Sequence, residues 1–147
     1  MLSFRKYGTR CAALFLVVAF VGCGDSGPTI VPVTGTLTYK GHPVANTYIF
    51  FMLADGSGRP SQGPTDADGR FKLSYTNEKD GVVVGKHKVW IGRPRPTTRA
   101  EQEAAMMGKK LPLARDMAAL LEKYGQGNSK VEVVVDKNTR DLKLDWD

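Results

Sequence analysis

The chain has 147 residues, with 21 lysines and arginines against 15 aspartates and glutamates, a formal net charge of +6 at pH 7. It holds two cysteines and two histidines. The length suits one domain with a modest core.

Residues 1–22 read as an export signal. The start is basic (Arg5, Lys6, Arg10), an apolar run extends from Cys11 to Val21, and Gly22-Cys23 closes the segment. That is the n-region, h-region and small-residue cleavage order of a secretory peptide, and the run is too short for a spanning helix. The cysteine directly after the small residue resembles the bacterial lipobox, with Phe20 where leucine is usual. The resemblance implies that Cys23 is diacylated and the chain cut before it, which makes a lipoprotein anchored in the bacterial cell envelope. The alternative is an ordinary secretory peptide with a chance cysteine. Gly24 stands where an aspartate marks inner-membrane retention in some bacteria, so the same resemblance points to the outer membrane. Removal of the leader takes away three basic residues and leaves 18 against 15 acidic ones, a net of +3. That balance removes most of the argument for a nucleic-acid partner. Cys11 leaves with the signal and Cys23 is consumed by lipid, so no thiol remains for a disulfide or a nucleophile. With both cysteines spent, His42 and His87 alone do not make a zinc cluster of the usual composition.

Residues 23–29 form the lipidated cysteine and a short polar tether. Alternation then dominates over 30–147. Val31, Val33, Leu37 and Tyr39 point one way and the intervening threonines the other, which predicts a half-buried strand. Lys40-Gly41-His42-Pro43 turns into a more apolar strand, Asn46–Leu53. Asp55-Gly56-Ser57-Gly58 and Asp66-Ala67-Asp68-Gly69 are turns by composition. The second leads into Arg70–Tyr75, where Phe71, Leu73 and Tyr75 share a face. His87, Val89 and Ile91 share another, as do Val131, Val133 and Val135, and then Leu142, Leu144 and Trp146. Six or seven short strands of this kind predict an all-β antiparallel sandwich. A helical insertion at about 94–128 interrupts them. Thr98 and Glu101 have capping-box spacing, Gly108 is a stop, and a second helix is expected over Pro112–Tyr124. Its apolar stripe is Leu113, Met117, Leu120, Leu121 and Tyr124.

Five segments are recognisable. Val33-Thr-Gly-Thr-Leu-Thr-Tyr-Lys-Gly-His-Pro-Val-Ala-Asn46 resembles the opening of a carboxypeptidase regulatory-like domain. Thr65-Asp-Ala-Asp-Gly-Arg-Phe71 resembles its second signature. Gly85-Lys-His-Lys-Val-Trp-Ile91 resembles its Gly-x-Tyr-x-Val strand, with His87 at the tyrosine. Leu121-Glu-Lys-Tyr124 and Ser129-Lys-Val-Glu-Val133 resemble the late segment of small bacterial envelope lipoproteins carrying this domain. The resemblance implies a seven-stranded transthyretin-like (prealbumin-like) sandwich, and it speaks to fold rather than chemistry. The enzymatic branch of that fold, the hydroxyisourate hydrolases, carries a C-terminal Tyr-Arg-Gly-Ser, whereas this chain reads Leu144-Asp-Trp-Asp147. None of that branch's catalytic roles transfers.

The remaining candidates are few. Asp66 and Asp68 suggest a cation loop, but the calcium-hand register puts Pro64 and Tyr75 at required ligand positions; what stays open is a looser site of Asp66, Asp68 and backbone carbonyls, or a turn whose aspartates bond local amides, which explains the same residues. His87 faces the core as a packing residue or as half of an acid–base pair, and His42 lies in an exposed turn. Arg93, Arg95, Arg99, Lys109, Lys110 and Arg115 gather in the insertion, as a solvated face or as a patch for anionic lipid or polysaccharide. Alternation turns Trp90 away from the core. It is either an exposed contact for a partner protein or sugar ring, or the surface on which the insertion packs. The expectation is a non-enzymatic, lipid-anchored structural or protein-binding module without catalytic residues, cofactor or metal. Its candidate contacts are Trp90, Arg93 and Arg95, and its partners are the membrane through Cys23 and an envelope protein or glycan. Two alternatives stand behind it: a carbohydrate-binding module using Trp90, and a hydrolase with a site assembled near His87.

Overall fold

Alternating apolar residues become sheet where a second strand can complete the backbone hydrogen bonds. In the computed structural model, which describes residues 27–147, they do so mostly as antiparallel β-sheet with two short helices. The export signal, Cys23 and tether residues 24–26 lie outside the described residues. The strand expected from Val31 to Tyr39 is broken into β1 (Ile30–Val31) and β2 (Thr34–Tyr39). Pro32, with no amide hydrogen, sits at the break.

The first sheet is built around β2. On one side β2 pairs with β3 (His42–Pro43) and β6 (Arg70–Lys72), both antiparallel. Lys40 and Gly41 close the β2–β3 turn with φ of 51° and 77°, the positive values that a two-residue hairpin following sheet twist requires. The second sheet runs in the order β5 (Ser61–Pro64), β4 (Tyr48–Leu53), β8 (Gly85–Ile91), β9 (Val131–Val135), antiparallel throughout. β1 pairs separately with β7 (Val82–Val83).

Two features depart from the sequence expectation. The final strand, β10 (Asp141–Trp146), lies parallel to β2, from Asp141 opposite Thr34 to Trp146 opposite Tyr39. The Asp136–Thr139 turn carries the chain from the edge of the second sheet to the edge of the first instead of folding it back on β9. Asp136 holds that turn, its Oδ1 accepting from the Asn138 amide at 2.8 Å and the Thr139 hydroxyl at 3.0 Å. The strands also number ten segments among the described residues, six of them four residues or longer.

β5 has no apolar signal, since its inward residues are Ser61 and Gly63. Here smallness is what matters. A Cβ on Gly63 would lie 2.1 Å from the Lys72 carbonyl oxygen, a separation no side chain tolerates. The bare backbone lets this edge approach the chain after β6, where Gln62 and Ser74 exchange amide hydrogen bonds of 3.0 and 2.8 Å.

The inner faces of the two sheets share one core. Leu37 and Phe71 from the first meet Ile49, Phe51, Val89 and Ile91 from the second, each at most 4% exposed. Each such side chain contributes about 1.5–3 kcal/mol on burial.

The two helices fall between β8 and β9, inside the stretch expected for the insertion. α1 (Arg99–Met106) opens with the full capping box, Thr98 accepting from the Glu101 amide and the Glu101 carboxylate returning to the Thr98 amide. It buries no residue. α2 (Arg115–Tyr124) begins three residues later than expected, because Ala114 is still extended at φ −59° and ψ 147°. Its stripe enters the core through Leu120 and Tyr124, with Met117 and Leu121 packed against it. Tyr124 stacks on Trp146 at 4.4 Å, meets Tyr39 edge-on at 6.3 Å, and donates its hydroxyl to the Asp147 carbonyl at 3.0 Å. Among the described residues no helix is long and apolar enough to cross a membrane.

Candidate binding surface

Because side chains alternate along β4, burying Ile49 and Phe51 sends Tyr48, Phe50 and Met52 to the opposite face. On β8 the same alternation buries His87, Val89 and Ile91 and turns Lys86, Lys88 and Trp90 outward. The register sets Phe50 directly opposite Trp90. Their rings lie 5.5 Å apart and 7° from parallel, and Tyr48 follows at 6.2 Å from Phe50. All three are half-buried. Gly92 allows this closeness, since its Cβ would meet the Phe50 ring at 3.0 Å. Arg95 closes the row, its guanidinium 5.5 Å from the Tyr48 ring centre, and its amide donates to the Asn46 carbonyl at 2.7 Å. The other end of this face is polar and aliphatic, with the Lys86–Glu132 ion pair at 2.7 Å and Val134 68% exposed.

The three residues singled out from the sequence are therefore only partly brought together. Trp90 connects to Arg95 through Phe50 and Tyr48. Arg93 is exposed and shares with Arg95 a cleft of about 600 Å³ against the helical insertion, which Trp90 does not line. Tyr48 and Phe50 escaped the sequence reading. Their signal was present, since Tyr48, Phe50 and Met52 alternate with Ile49, Phe51 and Leu53 in a strand read simply as apolar. The stripe of α2 makes its ring contacts with Tyr39 and Trp146, whereas the ring partner of Trp90 is Phe50.

The other candidates have structural explanations. His87 is 2% exposed and packs 6.1 Å from the Phe51 ring. Burial lowers its pKa below the ordinary imidazole value, opposed by its bond to the Gly85 carbonyl. That 3.1 Å contact at Nδ1 places the proton of the neutral ring on Nδ1, because a carbonyl oxygen only accepts. Asp66 is occupied by its own turn, Oδ1 accepting from the Asp68 and Arg70 amides at 2.9 and 2.8 Å. Among the described residues no group of three or more histidine, cysteine or acidic side chains is placed to hold a metal ion. His42 is exposed.

No family model, no curated protein and no solved structure matches this chain.

Proposed function

We propose that the chain is a non-enzymatic lipoprotein of the bacterial envelope, held by lipid at Cys23, whose β-sandwich presents the Tyr48–Phe50–Trp90 row to a partner protein. The observation that carries this reading is the row itself: three partly accessible, half-buried aromatic rings on one sheet face, bordered by Arg95. Tryptophan, tyrosine and arginine are the side chains that most often dominate binding energy at protein interfaces. Anchoring adds a second advantage, since confinement to a surface raises the effective concentration for a weak partner without new contacts.

We read residues 30–147 as a carboxypeptidase regulatory-like domain of the transthyretin-like type. Two stacked sheets and the signature turns support it, among them Gly69 at φ +73°, where a Cβ would come within 2.4 Å of the Leu37 carbonyl oxygen. The burial of His87 supports the non-enzymatic reading, because its ring is withdrawn from any substrate.

A glycan partner is the second reading. A concavity of about 310 Å³ beside the row is lined by Tyr48, Tyr75, Arg59, Gln62 and Asn77, a mixture of rings and amides suited to sugar hydroxyls. Against it, Phe50 occupies one face of the Trp90 ring, which leaves a sugar only the other.

A photo-crosslinking residue placed at exposed Lys88, on the same outward face as Trp90, of the full-length chain in living cells tests the proposal, with one at exposed Lys137 as control. The expected result is a single recurrent protein adduct from position 88 and none from 137. Adducts to glycan alone would transfer the function to the second reading, and the absence of any adduct contradicts both. Mass measurement of the N-terminal peptide from the same sample tests the acylation of Cys23.

A further inference from the structure

Four cations converge on one cleft without an anionic partner of their own. Arg93, Arg95, Lys109 and Lys110 line the cavity of about 600 Å³ between the segment leaving β8 and the helical insertion. The ion pairs of the described residues are Lys72–Asp80, Lys86–Glu132 and Arg99–Glu103, and none of them involves these four. One carboxylate, Glu101, shares the lining. It is committed elsewhere, since its Oε2 accepts from the Thr97 amide at 2.7 Å, the Thr97 hydroxyl at 3.0 Å and the Thr98 amide at 3.0 Å. Those amides hold its pKa below the usual carboxylate range, so it stays ionised in its cap role.

Arg95 is fixed rather than free. Its backbone is tied to Asn46 and its guanidinium lies over Tyr48. Its Nε is shielded from solvent and is the single buried side-chain polar atom among the described residues without a hydrogen-bond partner. Buried donors are ordinarily satisfied, and an exception calls for an explanation. The start of α2 opens on the same cleft, where Ala114 stands at the N-cap and offers no side-chain acceptor. The opposing charge on that first turn, Asp116, lines a separate cavity with Tyr39 and His42.

Like charges gathered around a concavity repel one another unless an anion completes them. We propose that this cleft binds a phosphate group, held by Arg93, Arg95, Lys109 and Lys110. Guanidinium forks combined with ammonium point charges suit phosphate, and a dianion offsets the excess of four cations over one carboxylate better than a single carboxylate does. The cavity is larger than phosphate alone, within the range of small-molecule sites. The group is therefore carried on a larger body, either a soluble phosphorylated ligand or the headgroup of an anionic phospholipid.

The test uses the full-length chain in micelles of non-ionic detergent, titrated with inorganic phosphate and followed by amide chemical shifts. The expected result is saturable shifts confined to residues around 93–97 and 109–117. Lys109→Gln combined with Lys110→Gln changes two exposed side chains and leaves the core intact, and is expected to weaken binding at least tenfold. Lys137→Gln is expected to leave it unchanged. Shifts that do not saturate, or affinity unchanged in the double variant, overturn the proposal. Repeating the titration with phosphatidylglycerol in the micelles separates the two sources. Competition with free phosphate assigns the site to a lipid headgroup, and undiminished phosphate binding assigns it to a soluble ligand.

Discussion

The molecule contains two aromatic trios of similar make-up and opposite circumstance. Tyr39, Tyr124 and Trp146 close the junction between α2 and the first sheet, with Trp146 5% exposed and Tyr124 9%. Tyr48, Phe50 and Trp90 stand on the outer face of the second sheet, half-buried. Both contain a stacked pair with a tryptophan, at 4.4 Å in one and 5.5 Å in the other. Stacking therefore does not separate structure from function. The difference is coverage: α2 buries the Tyr124–Trp146 pair, with Tyr39 half-buried at its margin, while all three rings of the second trio keep part of their surface accessible.

Breaking the sealed trio has the largest expected effect. Trp146→Ala removes a buried ring that α2 rests on and is expected to cost about 3–5 kcal/mol, read as a fall in the denaturation midpoint. A loss below about 1 kcal/mol would place Trp146 in the same class as Trp90 and dissolve the contrast. Tyr124→Phe keeps the stacking and removes the hydroxyl bond to Asp147. Its expected cost is about 0.5–1.5 kcal/mol, measured by the same unfolding curves.

The open trio should respond the other way. Trp90→Ala forfeits the stacked pair with Phe50, about 0.5–1.5 kcal/mol, yet is expected to abolish partner capture from the envelope. A variant that unfolds, or that captures its partner normally, would remove Trp90 from the binding surface.

A pH titration sharpens the comparison from the inner side of the same strand. The folded-state pKa of His87 is lowered by burial, so the unfolded chain binds its proton first as pH falls. Its contribution is complete above the ordinary imidazole value, about 6.5, and is lost progressively below that as pH falls toward and through the lowered folded-state pKa. His87→Leu is expected to flatten the pH dependence of stability in that window, whereas Trp90→Ala leaves it unchanged. An unaltered slope in His87→Leu would show that another group titrates there.

Much of the fold was legible because alternation is a strong signal. Leu37, Phe71, Leu73, Val89 and Ile91 are buried as their spacing required, and Thr98 and Glu101 form the capping box that their spacing suggested. β5 was illegible, since a strand that packs through Ser61 and Gly63 has no hydrophobic period to read. The parallel pairing of β10 was also hidden, because alternation sets which face a residue takes but not which neighbour the strand chooses. Of the candidate surface, Trp90 could be found because it broke the polar pattern of its face. Tyr48 and Phe50 were masked by a strand apolar on both faces, and their pairing with Trp90 depends on a register that sequence alone does not specify.

The most direct test of the contrast is oxidative footprinting of both tryptophans, on the purified full-length chain and on intact cells. Trp146 is expected to be protected in both samples. Trp90 is expected to be oxidised in the purified protein and protected in the envelope, where a partner covers it. Equal oxidation of Trp90 in the two samples would contradict a partner on the Tyr48–Phe50–Trp90 face.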